Sequence, residues 1–478
     1  MSQRFVGIGA GGLMLTLIVV LGRGTTGVIP VAVGQARMFY VDDATGNDSN
    51  SGGSSDPWKT IQKAANVMSS GDTVLVAAGT YNERVQLRTS GSPGSSITYQ
   101  AQGSVITKGF AIAANYTRVS GFEITQTPAD WVNGPGVWVR GVGNEITDNY
   151  IHDVAFYGIF LEAWPPDNPA TSNNVLRNNR IAFAVEAGMR IMGANNLIDG
   201  NDISHTHQFQ PGVTTLKPGD DADGIRFFGS GHTFRENRIH DIYISDPGNN
   251  TDATGPHTDA LQTWGPAYDI VFEQNVFDIP DTSMQGTMIS IAVNPVRNLT
   301  FRNNIFINGS QVPWGPAINI MGYSGSNLDS TVVNVTIVNN LFVRTGGNNL
   351  AYCVILHDGV QNATVMNNAF YNCGGSSFSY VSTAPFYGGI TSDINIGNNS
   401  VFTTNGVPPA GGPYLNDVWM LDPGFVNAPA KDFRLLPGSP LIDAGTTLGA
   451  VTGDLIGMPR PQGSRPDIGP YEFVVPVP

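Results

Sequence analysis

Positive charge is scarce in this chain: 24 Lys and Arg stand against 38 Asp and Glu, giving a formal charge of −14 over 478 residues. Binding to nucleic acid depends on clustered Lys and Arg, so this balance argues against a nucleic-acid partner. A local row of basic side chains on an acidic protein remains compatible with an anionic polysaccharide. P-loop and GxSxG motifs are also absent, which argues against P-loop nucleotide binding and against a serine hydrolase.

Cysteine and long apolar runs are scarce as well. The only two cysteines, Cys353 and Cys373, lack a zinc-type spacing; they can pair if the protein is exported, and otherwise two buried thiols are the alternative. The one long apolar run, at 5–21, follows Arg4 and leads through small residues to Ala36. We interpret residues 1–36 as a bacterial-type signal peptide, with an uncleaved anchor helix as the alternative. Cleavage would give a secreted or cell-surface protein without a membrane anchor.

Asparagine, by contrast, recurs throughout the chain. Nine segments share an apolar alternation, an asparagine and a further apolar pair, at spacings of 22 to 38 residues. This pattern predicts a parallel β-solenoid, in which stacked coils bury one continuous core. Asparagine suits the bend between strands and can bond to its equivalent in the next coil. The aligned residues are Asn149, Asn179, Asn201, Asn237, Asn275, Asn304, Asn340, Asn368 and Asn399.

Another strand precedes each asparagine motif, and alternate residues of this strand point into and out of the solenoid. We predict an apolar, buried inward column of Val137, Ile159, Met189, Ile225, Leu261, Ile289, Ile318 and Val354. The neighbouring outward column is Trp138, Phe160, Arg190, Arg226, Gln262, Ser290, Asn319 and Ile355.

The two ends of the solenoid differ from the repeats. Residues 57–68 place apolar side chains at helical spacing, and Pro57 suits the first turn of a helix. We expect this helix to cap the N-terminal end of a solenoid of roughly ten coils. The solenoid is assigned to 37–420, and 421–478 is expected to cap the last coil.

The run YVDDATGNDSNSGGSSDPWKTIQKAANVMSSGDTVLVAAGTYNERV at 40–85 resembles the N-terminal region of right-handed parallel β-helix polysaccharide lyases. These are the pectate-lyase-like, chondroitinase-B-like and alginate-lyase-like proteins. The resemblance extends over most of the chain from 38 to 420 and implies an all-β right-handed parallel β-helix. It also implies an exported enzyme, which we expect to be a monomer. Lyases of this kind commonly use Lys or Arg as the base and often bind calcium.

One patch of the outward surface collects the residue types that polysaccharide chemistry needs. The repeat register stacks Asp223 over Asp259, Arg226 over Gln262, Phe228 over Trp264 and Asp221 over His257, with Arg190 beside Arg226. Neighbouring coils lie about 4.8 Å apart, so these side chains are expected to share one exposed groove. Substrate contacts are expected from Arg190, Gln262, Trp264, Phe228 and Glu186.

The first chemistry that suits this patch is β-elimination on a uronic-acid polymer. Arg190 and Arg226 would hold the substrate carboxylate, and His257 or Lys217 would remove the C5 proton. Oxygen ligands for Ca²⁺ are expected from Asp220, Asp221 and Asp223, with Glu186 as a further candidate.

The second chemistry is glycoside hydrolysis. Asp223 and Asp259 on adjacent coils would suit a retaining hydrolase, and the wider pair of Glu186 and Asp259 an inverting one. A uronate epimerase uses similar parts, and a non-catalytic glycan-binding or surface solenoid is the alternative from a different class.

Overall fold

The computed structural model describes residues 36–130, 133–206, 223–242, 259–279, 289–291, 295–309, 316–322, 332–345, 352–384 and 391–475. In these residues the chain winds into coils. Each coil contributes strands to three faces, and the strands within each face are parallel. A sheet of 25 strands forms the first two faces, and a separate sheet of 11 strands forms the third. The predicted parallel solenoid is therefore confirmed.

The first face follows the third in each coil. Its strands are Met38–Val41, Thr73–Tyr81, Ile97–Thr107, Thr117–Ser120, Glu145–Thr147, Val175–Arg177, Leu197–Asp199, Gly229–Ser230, Thr233–Arg235, Ala267–Glu273, Val296–Arg302, Val332–Val338, Val360–Met366 and Ser392–Gly397. The second face comprises Glu123–Thr125, Tyr150–Val154, Arg180–Ala184, Asp202–Ser204, Arg238–His240, Val276–Ile279, Ile305–Asn308, Leu341–Arg344, Ala369–Tyr371, Ser400–Phe402 and Val418–Trp419.

The third face carries the predicted columns. Its strands are Val85–Leu87, Phe110–Ile112, Val137–Val139, Tyr157–Leu161, Ala187–Ile191, Asp223–Phe227, Leu261–Thr263, Ile289–Ile291, Ile318–Met321, Val354–His357 and Val381–Ser382. Ile159 is in register with Met189, and Met189 with Ile225. All members of the inward column whose side chains are described are fully buried, which confirms the prediction.

The nine aligned asparagines form a continuous buried ladder at the bend between the first and second faces. Asn237 is typical: its amide Nδ2 donates to Asn275 Oδ1 at 3.0 Å and to the Ile198 carbonyl at 2.8 Å. Its Oδ1 accepts from Asn201 Nδ2 at 2.9 Å. The ladder ends where Asn399 N donates to Asp417 Oδ1 at 2.9 Å. The predicted stacking of asparagines is therefore confirmed.

A second, shorter ladder lies at the bend before the first face and was not predicted. It runs through Asn144, Asn174 and Asn196 and ends at His232, which is fully buried. The Nδ1 of His232 accepts from the Asn196 backbone N–H at 3.1 Å, so its Nε2 carries the proton and donates to the Phe228 carbonyl at 2.8 Å. Burial lowers the pKa of His232 to about 4, and the imidazole is neutral.

We expect His232 to make the fold sensitive to acid. Its pKa is depressed from 6.5 to about 4, so the unfolded chain binds a proton that the folded chain excludes, and stability falls as the pH drops through this window. The difference amounts to about 3 kcal/mol. Urea unfolding of the wild type and of His232→Asn, across this pH range, isolates the effect because asparagine continues the ladder. Parallel pH profiles for the two proteins would contradict this expectation.

The N-terminal helix is shorter than predicted, spanning Ile61–Val67. Thr60 is its N-cap, and the Glu83 carboxylate accepts from the N–H groups of its first turn. Pro57 lies outside the helix, because Trp58 forms a backbone bridge to Val41 instead. The buried side of the helix belongs to the main core, as expected of a cap.

The C-terminal segment, which we expected to cap the last coil, lies elsewhere for the most part. It forms the antiparallel pair Phe425–Asn427 and Asp432–Leu435, joined by the 3-10 turn Ala428–Ala430. Rather than only capping the last coil, the segment packs along the side of the solenoid, against outward side chains of the second face. This outer core contains Ile305, Ile307, Leu341, Val343 and Ala369 with Phe433, Leu435, Leu441 and Ile468.

Cys353 and Cys373 form a disulfide, so the first of the two alternatives left open for them holds. No helix within the described ranges is long and apolar enough to span a membrane. The proposed signal peptide lies almost entirely outside the described residues.

Candidate functional site

The outward surface of the third face has the predicted register. Arg190 pairs with Phe160 on one side and with Arg226 on the other, and Arg226 pairs with Gln262. Three residues earlier on each strand, Tyr157, Ala187 and Asp223 are aligned. We define the arginine cluster as Tyr157, Glu186, Arg190, Asp223 and Arg226.

Arg226 is not the exposed groove residue that we expected, because only 4% of it is exposed. Its Nε donates to Asp223 Oδ2 at 2.7 Å, and its Nη1 lies 3.4 Å from Glu186 Oε1. Burial opposes the charged form, but the adjacent Asp223 carboxylate outweighs it and raises the pKa of Arg226 above its usual range. Arg226 is therefore a charged guanidinium already neutralised by the protein.

Asp223 and Asp259 lie on adjacent coils as predicted, but both are fully buried. Asp223 Oδ1 accepts from the Asp259 backbone N–H at 2.9 Å, while its Oδ2 accepts from Arg226. Asp259 Oδ2 accepts from Gln262 Nε2 at 3.2 Å, and Gln262 is itself buried. The expectation that both carboxylates are exposed in a groove is therefore wrong.

Arg190 differs from Arg226 in its surroundings. It is partly exposed, and it forms no ion pair with an acidic residue of the described chain. Its Nη1 donates to the Tyr157 hydroxyl at 3.0 Å, and its guanidinium lies 5.5 Å from the ring centroids of Phe160 and Phe228. Within the described residues, the charge of Arg226 is thus balanced by acidic side chains, whereas Arg190 has no acidic partner.

Tyr157 connects the two arginines and is buried. Burial raises the pKa of its hydroxyl, although Arg190 opposes this shift. The hydroxyl is therefore protonated at neutral pH and suits a proton donor better than a base.

Two buried polar atoms of the arginine cluster, Glu186 Oε2 and Arg190 Nε, have no hydrogen-bond partner among the described residues. Such atoms are rare in folded proteins, and each calls for an explanation such as a bound water or ligand. These two atoms are one acceptor and one donor, which a bound water or a polar ligand would satisfy.

The aromatic residues also depart in part from expectation. Phe228 is buried, and Trp264 packs edge-on against it with ring centroids 4.6 Å apart. Phe228 therefore cannot stack on a sugar ring, whereas the partly exposed Trp264 retains an accessible surface.

Several predicted residues lie outside the described ranges: His257, Lys217, Asp220 and Asp221. Among the described residues no group of three or more His, Cys, Asp or Glu side chains could hold a metal ion. Both Asp223 oxygens already accept hydrogen bonds, one of them from a guanidinium, so Asp223 does not fit the expected Ca²⁺ site. Calcium remains a prediction for Asp220 and Asp221.

Sequence reasoning missed Tyr157, although the repeat register could have found it. Tyr157 stands two residues before the inward Ile159, just as Asp223 stands two residues before Ile225. It is therefore aligned with Asp223, at the position where each of these strands begins.

Residues 39–249 match the family described as Pel9A-like, right handed beta helix region. This part of the chain is similar to the right-handed β-helix of that family. The match confirms both the predicted handedness and the resemblance to β-helix polysaccharide lyases. Among curated proteins, no sequence matches the chain significantly.

Solved structures share the Pel9A-like fold at low sequence identity. Pectate lyase Pel9A aligns with a TM-score of 0.50 and 17% identity, over 92% of this chain and 97% of its own. XylC in complex with xylose aligns with a TM-score of 0.57 and 14% identity, over 91% and 98%. A GH136 lacto-N-biosidase from Eubacterium ramulus aligns with a TM-score of 0.50 and 14% identity, over 75% and 67%. At such identities these likenesses establish the fold alone.

Proposed function

We propose that the protein is an exported carbohydrate-active enzyme that binds an acidic polysaccharide on the third face and cleaves it by β-elimination. The observation that carries this proposal is the uncompensated guanidinium of Arg190, set among aromatic rings beside the Tyr157 hydroxyl. A substrate carboxylate would supply the missing negative charge, and Arg binds carboxylates in a bidentate geometry. Arg226 cannot do this without releasing Asp223.

In the proposed reaction, a base removes the C5 proton of a uronate, the C4–O4 bond breaks, and a C4–C5 double bond forms. Arg190 stabilises the negative charge that develops on the carboxylate of the intermediate. Tyr157, protonated and bonded to Arg190, is our candidate for the donor that protonates the departing O4. His257 and Lys217 remain the candidates for the base.

Glycoside hydrolysis is the second candidate, and Glu186 is the observation that favours it. Glu186 is more exposed than Asp223 or Asp259, and its Oε2 has no hydrogen-bond partner among the described residues. Such a carboxyl group could serve as a general acid or base on a neutral glycan.

The test is incubation of the purified protein with a panel of uronate-containing and neutral polysaccharides. Elimination gives an unsaturated product with new ultraviolet absorbance, whereas hydrolysis gives new reducing ends without that absorbance. We expect the first signal from uronate polymers only. Reducing ends alone would favour the Glu186 alternative, and binding without any product would favour the non-catalytic alternative.

The proposed export has independent support from chemistry. The disulfide between Cys353 and Cys373 is typical of proteins that mature in an oxidising compartment. We propose that the protein acts there as a monomer.

A further inference from the structure

An exposed tryptophan beside the arginine cluster has no role in the function proposed above. Trp164 is 80% exposed, the highest value among the large apolar side chains of the described residues. A large aromatic side chain in water leaves apolar area unburied, so it stabilises the free protein little.

The loop that carries Trp164 is held in place by hydrogen bonds. The Trp164 carbonyl accepts from Asn168 Nδ2 at 2.8 Å, and the Glu162 carbonyl accepts from Thr171 Oγ1 at 2.5 Å. The Pro166 carbonyl accepts from the Gly193 N–H at 2.6 Å. The indole is therefore presented on a fixed backbone.

These bonds also place the loop next to the arginine cluster. Gly193 lies three residues beyond Arg190, just after the strand Ala187–Ile191 ends, a span of at most about 10 Å. Ala163, immediately before Trp164, packs in the same outer apolar cluster as Phe160 and Phe228, the rings beside Arg190.

Two glycines allow the loop to lie this close. Gly193 and Gly229 both have positive φ angles, +91° and +98°. A Cβ atom at Gly193 would lie 1.8 Å from the Thr171 carbonyl oxygen, and one at Gly229 would lie 3.0 Å from the Pro166 carbonyl oxygen. Any larger residue at Gly193 would push the loop away from the third face.

We propose that Trp164 is an aromatic platform that stacks on a pyranose ring of the polysaccharide, in a subsite next to the sugar held by Arg190. The inference rests on the proposed function for the position of the chain, and it adds a binding site beyond the reacting sugar. An aromatic ring packs against the apolar face of a sugar, which needs neither charge nor a specific linkage. Trp164 should therefore contribute to the affinity for long chains and not to the chemical step.

The test compares wild type, Trp164→Ala and Trp164→Phe on long oligosaccharides and on the shortest substrate that is cleaved. We expect Trp164→Ala to raise KM for long oligosaccharides about tenfold, with kcat and the shortest substrate unaffected. Trp164→Phe should recover most of the loss. Leu415→Ala, which removes another exposed apolar side chain, is the control and should match wild type. An unchanged KM in Trp164→Ala would overturn the proposal.

Direct binding separates this inference from the proposed function. Oligosaccharide titrations by calorimetry need no turnover, and Gly193→Ala provides a second variant that moves the loop without removing the indole. Weaker binding in Trp164→Ala and Gly193→Ala, with normal binding in Arg190→Ala, would support the platform and reject the uronate site. Normal binding in both loop variants would reject the platform, whatever the result for Arg190.

Discussion

Arg190→Ala is expected to lower the turnover of an acidic polysaccharide by about a hundredfold or more, because the charge that develops on the substrate loses its stabilising donor. Folding should change little, since Arg190 forms no ion pair within the described chain and is partly exposed. Arg190→Lys should recover only part of the activity, because Lys keeps the charge but lacks the bidentate geometry. The measurement is kcat/KM, together with the thermal midpoint of each variant.

Two other arginines serve as comparisons for this experiment, one as a control for activity and one for stability. Arg180 is exposed on the second face, where it lies over the Tyr150 ring at 4.8 Å, and Arg180→Ala should retain normal activity. Arg226→Ala should instead destabilise the fold by about 3 kcal/mol or more, because Asp223 would be left buried without its cation. Normal activity in Arg190→Ala would remove this residue from the site.

Asn237→Ala is expected to lower the free energy of unfolding by about 4 kcal/mol. The substitution removes an amide from the middle of the buried ladder and leaves the donors of Asn201 and the Ile198 carbonyl without their partner. Each buried polar group that loses its hydrogen bond costs about 1–3 kcal/mol. Denaturant unfolding at constant pH measures the change.

An exposed asparagine row provides the control. Asn334 donates to Asn298 Oδ1 at 2.8 Å on the surface and has a φ of +63°. Asn334→Gly keeps this backbone conformation accessible and should cost less than about 1 kcal/mol, since water replaces the lost bonds. Equal losses in the two variants would show that burial of the ladder does not determine its contribution.

The features of the fold that could be predicted are those that repeat from coil to coil. Alternation and repeat length placed the inward column, the asparagine ladder and the pairing of Arg190 with Arg226, because stacking of equivalent residues fixes all three. The same reasoning could not show that Asp223 folds back onto Arg226, since this contact joins residues three apart within one strand. It therefore assigned the substrate carboxylate to both arginines, whereas Arg226 is paired with Asp223 and Arg190 has no acidic partner among the described residues.

The position of the C-terminal segment is indicated by apolar residues on the outward side of the second face. Ile305, Ile307, Leu341 and Val343 point outward from the second face, where polar residues would be expected at a solvated surface. Outward apolar residues on consecutive coils indicate that another part of the chain covers them. The helix boundary was missed for a local reason, because Trp58 joins the strand at Val41 before the helix begins.

The most direct test of the central claim is a calorimetric titration with one uronate oligosaccharide and its carboxyl-reduced counterpart. If Arg190 binds the substrate carboxylate, wild type should bind the uronate at least about tenfold more tightly than the reduced sugar. This preference should disappear in Arg190→Ala and persist in Arg180→Ala. Equal affinities of wild type for the two sugars, or a preference that survives in Arg190→Ala, would contradict the claim.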